Sequence, residues 1–336
     1  MQRLGAGLVA IGLAVAATAA QQPSAQQPSF RSRSDVVRVF VTVTDRDGRL
    51  VTTLGQGDFE IRDEGKPQPI VAFDNTPQPI RLIVMLDVSG SMEGNLPLLR
   101  AASAELFARL RPDDYARVGS FGRDVTISEG FTNDARVLAA ALPDAIPPDA
   151  PTPLWKALDK AISAFGRESE DRRAILVLSD GKDSGVSPVP LTRDTWPGSG
   201  GPSGSRIERH PVSQGQVIER ARDEDVMIYA IGLHSRRRQK GPPGLGPAGL
   251  RAAVVDDLPD PGLARVAEET GGGYVEIKPG DDLAAAFAYV ADELHGQYLL
   301  GFAPPQRDGK VHDIDVRVTT KGLKPRARKS YVAPKG

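Results

Sequence analysis

Val37, Val39, Val41 and Val43 alternate with Arg38, Phe40, Thr42 and Thr44, a period of two that predicts a half-buried strand. The Asp47-Gly48 pair in the following TDRDGRLV is a hairpin turn signal, with a second short strand behind it and more strand chemistry in DFEIRDEGKPQPIVAF. Asp45 and Asp47 resemble the start of a calcium loop, but the later oxygen ligands of such a loop are missing, and the segment reads as a turn.

From Arg81 strands and helices take turns. RLIVMLDV is a continuous apolar run of the kind buried on both faces, and Leu99, Ala102, Leu106, Phe107 and Leu110 then share one helical face. YARVGSFGRDV and TISEGF read as further strands, and Asn133 or Asp134 can cap a helix carrying Val137, Leu138 and Leu142. Thr152 to Phe165 reads as a helix, with Thr152 placed before Pro153 as its N-cap. RAILVLSDG, QVIERARDEDV, VMIYAIGL and PGLARVAEETGGGYVEI continue the series to a helix of Leu283, Phe287, Val290 and Leu294, with Gly271 to Gly273 as a turn. Repeated strand–helix units imply a mainly parallel sheet with helices on both faces. Two stretches rich in Pro and Gly, Ser184 to Gly204 and Ser235 to Gly249, interrupt the rhythm and read as long loops.

After Gln297 period-two chemistry returns in YLLGF and in VHDIDVRVTT, where Ile314, Val316 and Val318 alternate with Asp315, Arg317 and Thr319. A two-stranded piece is marginal in water, so the two end segments should pair. The expected fold class is α/β, a Rossmann-like doubly wound, mainly parallel sheet with a small β domain. The expected division is a β segment over 35–78, the α/β domain over 81–295, and a second β segment over 297–334 that pairs with the first.

Composition narrows the partners. Lys and Arg number 42 against 43 Asp and Glu, which removes the electrostatic case for nucleic acid or an anionic membrane as main partner. Residues 1–20 carry Arg3, an uncharged apolar run and the series Ala17, Ala19, Ala20, the pattern of a secretory signal peptide, and 21–34 reads as a disordered leader. The expected location is periplasmic or secreted, with no stable membrane span after signal removal. With no cysteine, the mature protein has neither disulfides nor a lipid-modified cysteine.

The candidate chemistry lies in LDVSGSM. Asp87, Ser89 and Ser91 stand at alternate positions directly after a buried strand, where they serve either as turn residues or as ligands of a hard cation. Asp180 ends a second buried strand, so both carboxylates fall on the sheet edge where open α/β folds bind ligands. Histidine chemistry is weaker: the four histidines read as surface residues, and no G-x-S-x-G elbow frames a serine. The basic Arg236 to Arg238 and KGLKPRARKS read as solvated charge.

Together, DVSGSM, TPLWKAL and VLSDG resemble the metal-ion-dependent adhesion site of a von Willebrand factor type A domain, over roughly Arg81 to His295. The whole chain also looks like secreted bacterial proteins carrying such a domain. The resemblance implies a metal set of Asp87, Ser89, Ser91, Thr152 and Asp180, with the hydroxyls near the ion and the carboxylates acting largely through water. It also implies a vacant coordination position that attracts a Glu or Asp of a protein partner. An all-oxygen set suits Mg2+, with Mn2+ or Ca2+ as alternatives. The expected function is metal-dependent protein binding, as an adhesion or scaffold module and not an enzyme. The rival is an extracellular hydrolase using the same aspartates with a metal-bound water; against it, no general base lies in the motif segments besides Glu93, placed at a helix start.

Overall fold

The computed structural model describes residues 36–147, 150–166, 171–180, 183–184, 186–190, 205–209, 212–238 and 254–335, all within a compact unit of Ser34–Gly336. The expected signal peptide and leader, His210 and most of the two Pro- and Gly-rich stretches lie outside these residues.

A six-stranded sheet forms the centre, in the order Tyr274–Ile277, Val226–Leu233, Arg172–Ser179, Ile80–Asp87, Tyr115–Phe121, Val125–Ile127. All neighbours run parallel except the short Val125–Ile127, which returns antiparallel along the edge. Beyond Arg81 the strand Ile80–Asp87 is apolar up to its last residue because both faces are covered. Ile80, Leu82, Val84 and Leu86 pack against the helices Leu96–Ala108 and Leu283–His295, while Ile83 and Met85 face Leu154–Ser163, Gln214–Asp223 and Pro261–Thr270. The sheet is doubly wound, as expected.

The triple glycine closes the Pro261–Thr270 helix for two separate reasons. Gly271 adopts a left-handed φ of 82° at the C-cap. At Gly272 a Cβ would stand 2.0 Å from the Ile228 carbonyl oxygen, so only glycine permits the approach.

The chain ends build two four-stranded sheets. One runs Lys324–Arg326, Val37–Thr44, Tyr298–Phe302, Ile70–Asp74, and the other Ser330–Val332, Val311–Val318, Phe59–Asp63, Lys66–Gln68. Val37 pairs with Phe302 and Val41 with Tyr298, and the buried valines share a core with Ile61, Leu300, Phe302 and Ile314. Residues from the two termini thus alternate in the first sheet, and in the second they meet where Val311–Val318 pairs with Phe59–Asp63.

Several local expectations need correction. The stretches read as loops each hold a strand, Val186–Pro190 and Ser235–Arg238, which pair antiparallel with Ser205–Arg209 and Val254–Asp257 just beyond them. His312 is buried, and His295 is largely covered and bonds the buried Asp114 at 2.8 Å, so neither is a surface residue. Within the basic tail, Arg326 pairs with the buried Glu293, and Arg328 bonds Asp225 at 2.7 Å and the Arg38 carbonyl at 2.6 Å. Those charges fasten the β domain to the α/β sheet instead of facing solvent. No helix among the described residues is long and apolar enough to cross a membrane.

Candidate functional site

The central strands Ile80–Asp87 and Arg172–Ser179 are neighbours, and from them the chain winds outward in both directions. Their carboxyl ends therefore form a topological switch point, where the edges of adjacent loops leave a crevice. Leu86 pairs with Leu178, so Asp87 emerges level with Ser179, and Asp180 follows on the neighbouring strand. The alternation of the two strands and the crossing of the chain between them bring two acids together that are far apart in sequence.

Asp87 is fully buried. Its Oδ1 accepts the Ser89 amide at 2.8 Å, and its Oδ2 accepts the Ser179 hydroxyl at 2.5 Å. The backbone then turns into the short 3-10 segment Gly90–Asn95, with Ser89 at its N-cap position. A serine at that position ordinarily spends its hydroxyl on the turn. Here Ser89 makes no side-chain cap, and its Oγ lies 3.0 Å from the Oγ of Ser91. Ser91 in turn donates to Asp180 Oδ1 at 2.7 Å, and Asp180 is also fully buried. Four of the five candidate residues are thus joined in one polar chain: Asp87, Ser89, Ser91, Asp180.

Thr152 reaches this cluster through the backbone. The Gly90 amide donates to the Ala150 carbonyl at 3.2 Å, and the Ser184 amide to the Thr152 carbonyl at 2.9 Å, so the 150–152 loop lies between the DVSGSM turn and the segment after Asp180. Thr152 is buried, but it is not the N-cap that the sequence suggested. The helix begins one residue later, at Leu154, with Pro153 as its cap and no side-chain capping bond. The Leu154 amide instead donates to the Thr152 carbonyl at 2.9 Å in a tight turn.

Burial pushes the Asp87 carboxyl up to about 7, the charge of Asp180 adds to the rise, and the bonds from Ser179 and Ser89 oppose it. Two acids held together out of water call for compensating positive charge. The donor set, two carboxylates and three hydroxyls, fits a hard divalent ion such as Mg2+. Among the described residues no group of three or more His, Cys, Asp or Glu side chains is arranged to hold a metal, so a cation here would depend on the hydroxyls as well.

Three supporting residues escaped the sequence reading. Ser179 anchors Asp87, and only the register between the two strands identifies it. Asp183 accepts the Trp155 amide at 3.3 Å, and its own amide donates to Asp260 at 3.2 Å. Asp260 caps Pro261–Thr270 through the Gly262 amide at 2.8 Å; the Asp-Pro sequence at a helix start was the available signal. The backbone of Ser235–Arg238 lies against the Gly90–Asn95 turn and borders the same edge.

No curated protein matches the chain. Among solved structures, a von Willebrand factor type A protein from Catenulispora acidiphila is similar, with a TM-score of 0.44 and 11% identity over 91% of this chain and 76% of that one. An aerotolerance-related membrane protein from Bacteroides fragilis has a TM-score of 0.44 and 15% identity over 64% of this chain and 98% of its own. The von Willebrand domain of a type V pili tip protein from Porphyromonas gingivalis has a TM-score of 0.42 and 15% identity, covering 64% and 95%. The model of the von Willebrand factor type A domain matches residues 82–182, a span containing Asp87, Ser89, Ser91, Thr152 and Asp180. Over these residues the chain is similar to a von Willebrand factor type A domain.

Proposed function

We propose that this is a secreted or periplasmic protein-binding module, of adhesion or scaffold type, whose contact with its partner depends on a divalent cation. Residues 81–295 form the binding domain, and 35–78 with 297–334 form the β domain that carries it. Asp87, Ser89, Ser91, Thr152 and Asp180 hold the ion, Mg2+ by preference and Mn2+ or Ca2+ as alternatives. When bound, the ion supplies an electrophilic position for an anionic oxygen, which a Glu or Asp of the partner fills. The chain's own residues fix that position: Ser179 and the Ser89 amide orient Asp87, and Ser91 orients Asp180.

The observation that carries this reading is the orientation of the serines. Their hydroxyls turn toward the two carboxylates instead of capping the turn they start, which local turn chemistry alone does not explain.

One observation favours the hydrolase rival. A carboxyl raised to about 7 is in the range of a general base. Yet both oxygens of Asp87 already accept hydrogen bonds from the protein, so it is poorly placed to take a proton from a water or substrate.

Affinity capture from periplasmic extract, with Mg2+ and again with chelator, tests the proposal. A protein retained by the wild type with Mg2+, and lost with chelator and with Asp180→Ala, is the expected result. Retention that ignores both changes would place partner binding on another surface, and product release from candidate esters or phosphoesters by the isolated protein would favour the rival.

A further inference from the structure

The β domain breaks its own alternation at one level. Along Phe59–Asp63 the inward positions are Phe59, Ile61 and Asp63, along Val311–Val318 they begin with His312 and Ile314, and Ser330–Val332 turns Tyr331 inward. His312 pairs directly with Tyr331, and Asp63 stands opposite Ile314, two residues along on the same face. Three neighbouring strands thus each place one polar side chain at the same interior corner. Asp63, His312 and Tyr331 are 2%, 5% and 1% exposed, which is costly for groups that lack partners.

Their polar atoms are turned on one another, and burial with the Asp63 carboxylate beside it pushes the Tyr331 phenol well above its ordinary value. Asp63 Oδ1, His312 Nδ1 and Tyr331 Oη are all buried, and none makes a well-aligned hydrogen bond. The Nδ1 to Oδ1 distance is 3.4 Å, and the imidazole lies tilted beside the phenol ring with centroids 5.5 Å apart. The other ring nitrogen, Nε2, is 3.2 Å from Asp308 Oδ1. The imidazole thus stands between two carboxylates, Asp63 on the Nδ1 side and Asp308 on the Nε2 side.

We propose that Asp63, His312 and Tyr331 form a second metal site, for a late first-row divalent cation of which Zn2+ is the representative. Two ligands each about 2.0–2.1 Å from a tetrahedral zinc are about 3.3–3.4 Å apart, which matches the observed separation and is long for an aligned N–H to carboxylate bond. The mixed imidazole and oxygen set suits Zn2+ better than Mg2+, and Asp308 supplies the carboxylate that orients a metal-binding histidine. Because Asp63 comes from the N-terminal segment and His312 and Tyr331 from the C-terminal one, the ion would tie the chain ends together in a protein without disulfides. The site is separate from the one at the sheet edge.

The test uses the full chain with Asp87→Ala and Asp180→Ala, so that the sheet-edge site cannot contribute. Zn2+ is titrated against thermal unfolding, metal retained after gel filtration is measured, and Co2+ reports coordination through its visible absorption. The expected result is a single retained zinc, a raised melting temperature and a tetrahedral cobalt spectrum. His312→Gln should lower zinc affinity at least tenfold, and Asp308→Asn by about 10–100-fold with the spectrum retained. If His312→Gln does not fold, Tyr331→Phe, which keeps the ring packing, is read in its place and should weaken binding while altering the cobalt bands. Absence of retained zinc in the double variant, or zinc binding indifferent to the His312 or Tyr331 change, would overturn the site.

Discussion

The Ser91 hydroxyl donates a 2.7 Å hydrogen bond to the carboxylate of Asp180, 89 residues further along the chain. Ser91 also stands 3.0 Å from Ser89, so it is the link between the two acid-bearing strand ends. Ser91→Ala breaks that link without adding bulk. It should cost about 1 kcal/mol of stability by loss of a single hydrogen bond and weaken Mg2+ affinity at least tenfold. Denaturant unfolding with and without Mg2+ separates the two effects.

Asp87 gives the metal-free protein a distinctive pH response. Its folded pKa is raised, so its contribution to stability is present below the ordinary value of 3.8 and is lost as pH rises through about 7. Chelator-treated protein should therefore lose stability over that window. Bound cation favours the ionised form, so Mg2+ should oppose the loss, and its affinity should weaken as pH falls below about 7. Urea midpoints at several pH values, with Mg2+ and with chelator, show this, and Asp87→Asn should flatten the metal-free profile.

Glu293 is almost fully buried, accepts from Thr42 at 3.2 Å and pairs with Arg326. Close by, the buried Arg172 donates to the Leu294 carbonyl at 2.6 Å and bonds Gln297, which donates to Thr42 at 2.7 Å and to Tyr229 at 2.9 Å. Glu293→Ala strands Arg326 in this network and should cost about 3–5 kcal/mol. Asp134→Ala removes an exposed pair with Arg136 as well as a helix cap, and should cost much less. Guanidinium denaturation of both variants provides the comparison.

Thr152→Ala keeps both carboxylates and the backbone bonds of the 150–152 loop. It should weaken partner binding while sparing part of the Mg2+ affinity, whereas Ser89→Ala should reduce both. Calorimetric titrations of the captured partner and of Mg2+ into each variant distinguish the two patterns.

Much of this architecture is written locally. Continuous apolar strands ending in Asp87 and Asp180 mark the sheet and its functional edge, because burial on both faces leaves polar residues only at strand ends. Ser179 was not legible, since its role depends on which strand lies beside which. Arg326 and Arg328 look like surface charge for the same reason: their partners Glu293 and Asp225 lie 33 and 103 residues away. His312 and Asp63 sit at inward positions of an alternation that counting apolar residues alone passes over. Thr152 misled because Thr-Pro before a helix is a strong capping signal, and a turn one residue long displaced the helix start.

The central claim is that the sheet edge holds a divalent cation through both acids and the serines between them. Calorimetric titration of Mg2+ into metal-free wild type and into Asp87→Ala, Asp180→Ala and Ser91→Ala tests it most directly. A single saturable site in the wild type, lost in the two aspartate variants and weakened in the serine variant, is predicted. At about a hundred times its dissociation constant, Mg2+ should then stabilise the wild type by roughly 2.7 kcal/mol. Equal heats and equal melting temperatures in all four proteins would contradict the account.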